Sequence, residues 1–179
     1  MQLRILQDKP EQFSFNFDLQ GTAEKGELTI YSPLTPNLGP QAGLWRKNYR
    51  GVYRANLFLE KIQNVPGTSD EFVRRTSAEA KFLRAYFYLD LLRLFGKVPL
   101  ITKTLSPSEY YEVTMATPEA VFAQIEADLL AAIPDLPLSV GGSEKGRVTQ
   151  GAAKALLARG YLYMNVKMDQ VAQLSEEVI

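Results

Sequence analysis

Residues 78–100, AEAKFLRAYFYLDLLRLFGKVPL, restrict the fold more than any other part of this 179-residue chain. Phe82, Tyr86 and Leu89 recur at helical spacing, while Leu83, Leu91, Leu92 and Leu94 fill other faces. A helix that is apolar on several sides is buried on several sides, so it must be pressed between neighbours. Gly96 supplies the backbone freedom of a helix end, and Pro99 cannot continue the helix. The segment therefore predicts a long helix, a stop and a short extended exit. Arg84 stands among the aromatics of this helix. A buried guanidinium left unpaired costs roughly 3–5 kcal/mol. Arg84 is thus expected to bridge to a carboxylate on a neighbouring helix, the alternative being a ligand-binding arginine. So few polar groups favour binding over catalysis.

Comparable patterns flank this helix. In GLWRKNYRGVYRANLFLEKI, residues 43–62, Trp45, Tyr49, Val52, Asn56 and Leu59 share one face. Arg46, Lys47, Arg50, Arg54 and Lys61 lie opposite, a solvated or partner-facing stripe. Asn56 on the apolar face is an amide that needs partners. VPGTSD, residues 65–70, is the turn into a second helix over 70–95, antiparallel to the first. Residues 97–117 read as an extended passage. Thr117-Pro118-Glu119 is a helix start, with an N-cap, a first-position proline and an acid in the first turn. Phe122, Ile125, Leu129 and Ala132 form its apolar face, which ends at Pro134. After the loop PDLPLSVGGSEKGR, Thr149 caps a fourth helix, GAAKALLARGYLYMN, whose small residues let backbones approach closely. Asn165 or Lys167 ends it. DQVAQLSEEVI begins a fifth helix, expected to be still running at Ile179, so that the chain stops short of a domain edge.

Residues 1–44 differ. Phe13, Phe15, Phe17 and Leu19 alternate with polar residues at the period of a half-buried strand, and ELTIY, residues 27–31, is placed to pair with it. Residues 31–40 carry three prolines and a glycine and read as loop, and residues 2–8 as a weak helix. The expected organisation is a loop and possible β-hairpin over 1–44, then a tetratricopeptide-like helical region over 45–179, truncated at its C-terminus. Ala155, Ala158, Tyr161 and Ala172 follow a degenerate form of the tetratricopeptide pattern of small residues and tyrosines. The fold class is therefore mainly α: irregular tetratricopeptide-like antiparallel helix pairs with a loop/short-strand N-terminal segment.

Composition narrows the chemistry. With neither Cys nor His, the chain has no thiol nucleophile, imidazole base, disulfide or Cys/His zinc site, and no cofactor or metal is expected. The net charge is zero, although residues 45–100 carry an excess of +6. That excess lies largely on one helix face and is too modest to argue for nucleic acid. No run of eighteen apolar residues exists to span a membrane. The start MQLRILQDKPEQ is too polar for a signal peptide. Either the protein is cytosolic or a targeting segment was removed ahead of this chain.

The order of these motifs is recognisable. Trp45-x3-Tyr49-x6-Asn56 precedes Glu79-Ala-Lys-Phe-Leu-Arg-Ala-Tyr-Phe-Tyr and Leu91-Leu-Arg-Leu-Phe-Gly-Lys-Val-Pro-Leu. Ile125-x2-Asp128-Leu129-x2-Ala132 and Gly146-Arg-Val-Thr-Gln-Gly-Ala-Ala-Lys-Ala-Leu-Leu-Ala follow. Over residues 45–179 this series resembles the helical N-terminal part of the SusD/RagB family of outer-membrane nutrient-binding lipoproteins. The resemblance implies a surface-exposed lipoprotein of Bacteroidota type at the cell outer membrane, which captures oligosaccharides or sometimes peptides. It implies a partner, a SusC-like TonB-dependent transporter, over which the protein acts as a lid. Membrane association would then be through a lipid anchor absent from this chain. Family members are far longer and begin with a signal peptide and a lipidated Cys, so the chain reads as a fragment. In the matching motifs, Asn56, Arg84, Gly96, Pro99 and Thr149 are expected to carry the scaffold.

Sugar sites stack apolar sugar faces on exposed aromatics and fix hydroxyls with a few polar side chains. Tyr31, Asn37 and Trp45, near the entry to the first helix, are candidates, Trp45 having a helix-core reading as well. Tyr110 and Tyr111, in the polar passage before Thr117, are the others. A hydrolase would need two carboxylates across a pocket, and Glu109 and Glu112 are the conceivable pair. No motif places them so, and the expectation is a non-catalytic protein. The alternative to a glycan-binding or nutrient-binding component of an uptake complex is a tetratricopeptide-like protein–protein adaptor that binds no sugar.

Overall fold

The computed structural model describes the backbone of residues 3–4 and 14–15, and residues 40–178. The chain divides into two compact units, Met1–Arg46 and Lys47–Ile179. In the first, β1 (Leu3–Arg4) pairs antiparallel with β2 (Ser14–Phe15), Leu3 standing opposite Phe15. This corrects the weak helix expected over residues 2–8. A helix that short is marginal, whereas strand pairing satisfies the same backbone groups. The partner of the Phe-rich strand is thus β1; residues 27–31, its expected partner, lie outside the described residues.

The helices follow from their caps. α1 (Pro40–Ile62) opens on a proline, whose missing N–H falls among donors that have no partner in a first turn anyway. Pro40 therefore belongs to the helix and not to the loop expected over 31–40. α2 (Asp70–Phe95) is capped by Ser69, whose hydroxyl accepts from the Phe72 N–H at 3.2 Å. It stops at Gly96, whose φ of 69° suits glycine. α3 (Pro118–Ala132) and α4 (Gln150–Met164) are capped by Thr117 and Thr149, which accept from Ala120 and Ala152. α4 ends at Asn165 in the left-handed region, with a φ of 56°. α5 (Met168–Glu176) ends before Ile179, contrary to expectation. There the Val178 N–H turns to the Ser175 carbonyl, a tighter bond that closes the last turn.

Between α2 and α3, residues 97–117 are not extended throughout. β3 (Val98–Pro99) pairs antiparallel with β4 (Met115–Ala116), and residues 109–112 form a 3₁₀ turn.

The helices pack in chain order: α2 on α3, α3 on α4 and α4 on α5. They form the irregular tetratricopeptide-like, mainly α fold. Tyr88, Leu89, Leu91 and Leu92 of α2, Ile125 and Leu129 of α3, and Leu157 and Tyr161 of α4 are fully buried. α1 approaches α2 where Gly51 faces Phe87: a Cβ there would sit 2.2 Å from the ring. Gly160 of α4 does the same for Phe122 of α3, at 2.8 Å. α2 is not buried all round, however, since Leu83 and Tyr86 are 44% and 40% exposed.

Candidate functional site

The passage after α2 is gripped by side chains from two helices, α1 and α2. The Tyr49 hydroxyl donates to the Pro99 carbonyl at 2.8 Å. The Tyr88 hydroxyl donates to the Ile101 carbonyl at 2.9 Å and accepts from the Ile101 N–H at 2.7 Å. Asn56 Nδ2 donates to the carbonyls of Ile101 and Lys103, at 2.9 and 3.3 Å. Glu60 receives both the N–H and the hydroxyl of Thr104, each at 2.6 Å. Burial raises the Tyr88 hydroxyl to about 12 and the Tyr49 hydroxyl still further. Both phenols therefore remain protonated donors at any physiological pH.

Arg84 is the knot of this network. Its Nε and Nη2 reach Asp128 of α3 at 2.8 and 2.6 Å, and its Nη1 reaches Asn56 Oδ1 at 2.8 Å and the Thr102 carbonyl at 3.1 Å. Gln124 donates to the same Asp128 at 3.1 Å. Arg84 and Asp128 are both buried. One ion pair thus joins α1, α2, α3 and the passage.

Beyond Thr104 the chain projects outward on a built base. Lys103 Nζ pairs with Glu109 at 2.5 Å, while the Ser106 N–H and hydroxyl reach the other carboxylate oxygen at 2.7 and 2.8 Å. The Lys103 bond and then the Ser106 bonds lower the Glu109 carboxyl to about 2. On the turn this clasp closes, Tyr110 is 56% and Tyr111 93% exposed. Lys103, Glu109 and Ser106 thus fix the turn whose two tyrosines are presented to solvent. Glu109 holds no proton near neutrality and both its oxygens are engaged, so it cannot serve as a general acid.

Two other clusters tie the scaffold together. Arg147 holds Glu79 through two bonds, of 3.0 and 2.8 Å, and Glu144 through a third. Arg75 reaches Glu144 as well, so the loop before α4 is fastened to α2. Glu126 of α3 accepts from Tyr161 and Lys167, and the Lys167 ammonium lies 5.2 Å from the centre of the Tyr161 ring. Among the described residues no group of carboxylates could hold a metal ion, and no helix is long and apolar enough to cross a membrane.

The residues singled out from sequence therefore separate. Tyr110 and Tyr111 stand together on one fixed turn. Trp45 is partly exposed on α1, in the other compact unit. Tyr31 and Asn37 lie outside the described residues. Asn56, Arg84 and Pro99 meet in the network around the passage, while Gly96 and Thr149 act at helix ends. Sequence reasoning missed the roles of Tyr49, Tyr88, Glu60 and Glu109. A signal for the last was present: Ser106-Pro107-Ser108-Glu109 has the spacing of a capping box, in which the acid reaches back to the first residue's N–H.

Comparison with known proteins places this geometry. A SusD-like family profile, described as "Starch-binding associating with outer membrane", matches residues 25–162. SusD-like protein P38 of Formosa agariphila is 38% identical over 93 residues, covering 50% of this chain and 18% of the relative. A SusD-like protein of Bacteroides ovatus is 32% identical, over 68% of this chain and 22% of the relative. Among solved structures, a laminarin-binding SusD-like protein is 43% identical with a TM-score of 0.72, over 76% of this chain and 29% of its own. A SusD-like carbohydrate-binding protein of Bacteroides fragilis is 29% identical with a TM-score of 0.75, over 81% and 28%. The chain thus spans well under a third of the lengths of these four proteins. With the family profile matching more than half of its length, the chain belongs to the SusD-like family.

Proposed function

We propose that this chain is the helical scaffold portion of a non-catalytic, surface-exposed glycan-binding protein of the outer membrane. It contributes to capture through the Tyr110–Tyr111 turn and serves a SusC-like TonB-dependent transporter. The observation that carries this reading is the presentation of two tyrosines on a turn already fastened at its base. An aromatic face that needs no ordering on binding stacks on a sugar ring at low entropic cost. The family description and the names of the solved relatives support a saccharide over a peptide as the ligand. Attachment to the membrane would come from a lipid on a segment outside these residues.

The test is calorimetric titration of the protein with a panel of soluble glycans that includes laminarin and starch fragments. Laminarin is chosen because the 43% identical relative is described as binding it. One glycan class should bind, and Tyr110→Ala/Tyr111→Ala should weaken that binding by roughly 1–3 kcal/mol, the worth of burying one or two aromatic faces. Binding of every glycan undiminished by the double substitution would remove the turn from the site. No binding by the full-length protein across the panel would end the glycan reading.

A further inference from the structure

Between α1 and α2 lies an apolar groove of about 460 Å³, lined by Gly51, Ala55, Phe58, Leu83 and Phe87. It is edged by Arg54 and by Glu79, whose two carboxylate oxygens are already held by Arg147. Stacked helical repeats normally finish in a polar outer face. Here Phe58 and Leu83 remain exposed along the first helix pair of the stack. A second, independent observation concerns charge. Lys47, Arg50, Arg54 and Lys61 of α1 form no ion pair within 4.0 Å among the described residues. Elsewhere among the described residues Arg74, Arg75, Arg84, Arg93, Lys103, Arg147, Lys154 and Lys167 are paired, and Lys81, Lys97, Lys145 and Arg159 are not. What distinguishes α1 is that its unpaired cations are gathered on one helix. The single acid of α1, Glu60, is committed to Thr104. Arg50 and Arg54 are four residues apart on one helix, a like-charge spacing that opposes helix formation.

We propose that this groove is a docking surface for an acidic segment of a separate polypeptide. The segment places one aromatic or branched apolar side chain between Phe58 and Leu83, and sets its carboxylates against Arg50 and Arg54. The charge complementarity selects this occupant. A neutral saccharide would leave the guanidiniums unmatched, whereas a carboxylate offers the planar, two-bond geometry that arginine favours. The apolar anchor supplies affinity, and the charges supply register and rate of encounter. This surface is independent of the Tyr110–Tyr111 turn, so either reading can fail without the other.

The experiment pans a random peptide display library against the complete chain, with counter-selection on Arg50→Glu/Arg54→Glu. The enriched peptides should carry carboxylates next to one aromatic or leucine residue. A synthetic peptide of that consensus should bind with an affinity that falls as salt rises, drops roughly tenfold with Arg54→Ala and is lost with Leu83→Glu. Arg54 and Leu83 are exposed, so the circular dichroism of both variants should match that of the parent. Should Leu83→Glu not fold, Arg54→Ala and the salt dependence carry the test. The proposal is overturned by enrichment of peptides without acids, by binding that ignores both salt and Arg54, or by no enrichment. It is equally overturned if the chain self-associates through this face and Arg54→Ala abolishes that association, since the occupant would then be a second copy.

Discussion

At the scale of single residues, the most consequential contact is Arg84 with Asp128. Both are buried, and the guanidinium also holds Asn56 and the Thr102 carbonyl. Arg84→Met strands the Asp128 charge and should cost roughly 3–5 kcal/mol in urea denaturation. Arg84→Met/Asp128→Leu should cost clearly less than the two single substitutions summed, because the stranded charge is gone. Additive losses would show that the pair is not coupled. Glu109 offers a second check. Its folded carboxyl is lowered to about 2 from an ordinary value of 4.5. The sign follows: its contribution to holding the turn is complete above 4.5 and is lost as pH falls from there through about 2. A carbon-detected titration of the Glu109 carboxyl should therefore have its midpoint near 2, and an ordinary midpoint would mean the clasp is open in solution.

At the scale of elements, helix starts were the most legible features. Thr117-Pro118 and Thr149 lie where caps belong, and both accept the expected N–H. Periodicity identified the core faces of α1 and α3, because Val52 and Asn56 or Ile125 and Leu129 recur at one helical spacing. What periodicity cannot carry is distant partnership. That Arg84 needs a carboxylate follows from burial, but the choice of Asp128, 44 positions away, is set by how α2 meets α3. The grip of Tyr49 and Tyr88 on the passage was hidden similarly, since an aromatic on an apolar face reads as core whether or not its hydroxyl is used. The Glu109 turn was legible in part: its capping-box spacing is local, but the Lys103 partner is not. Close approach at glycine was foreseen only as a tendency of α4. Gly160→Ala puts a methyl 2.8 Å from the buried Phe122 ring. Overpacking costs about 1–3 kcal/mol against a helix-propensity gain of about 1. The expected net change is a loss of about 1 kcal/mol in urea denaturation, and a stabilised variant would contradict the packing described here.

At the scale of the whole molecule, a stack of helices tied by three charged clusters carries a short turn that Lys103, Ser106 and Glu109 fasten. That turn presents Tyr110 and Tyr111 to solvent. The family match accounts for the shared scaffold, while the turn, built from Lys103, Ser106 and Glu109, is where this chain can be tested as a binder. The most direct measurement is amide chemical-shift mapping of the protein during titration with the glycan that binds in calorimetry. Perturbations centred on residues 106–112, with the amides around Arg84 and Asp128 unmoved, are the result this account predicts. Shifts that leave Tyr110 and Tyr111 unchanged while saturating elsewhere would contradict it.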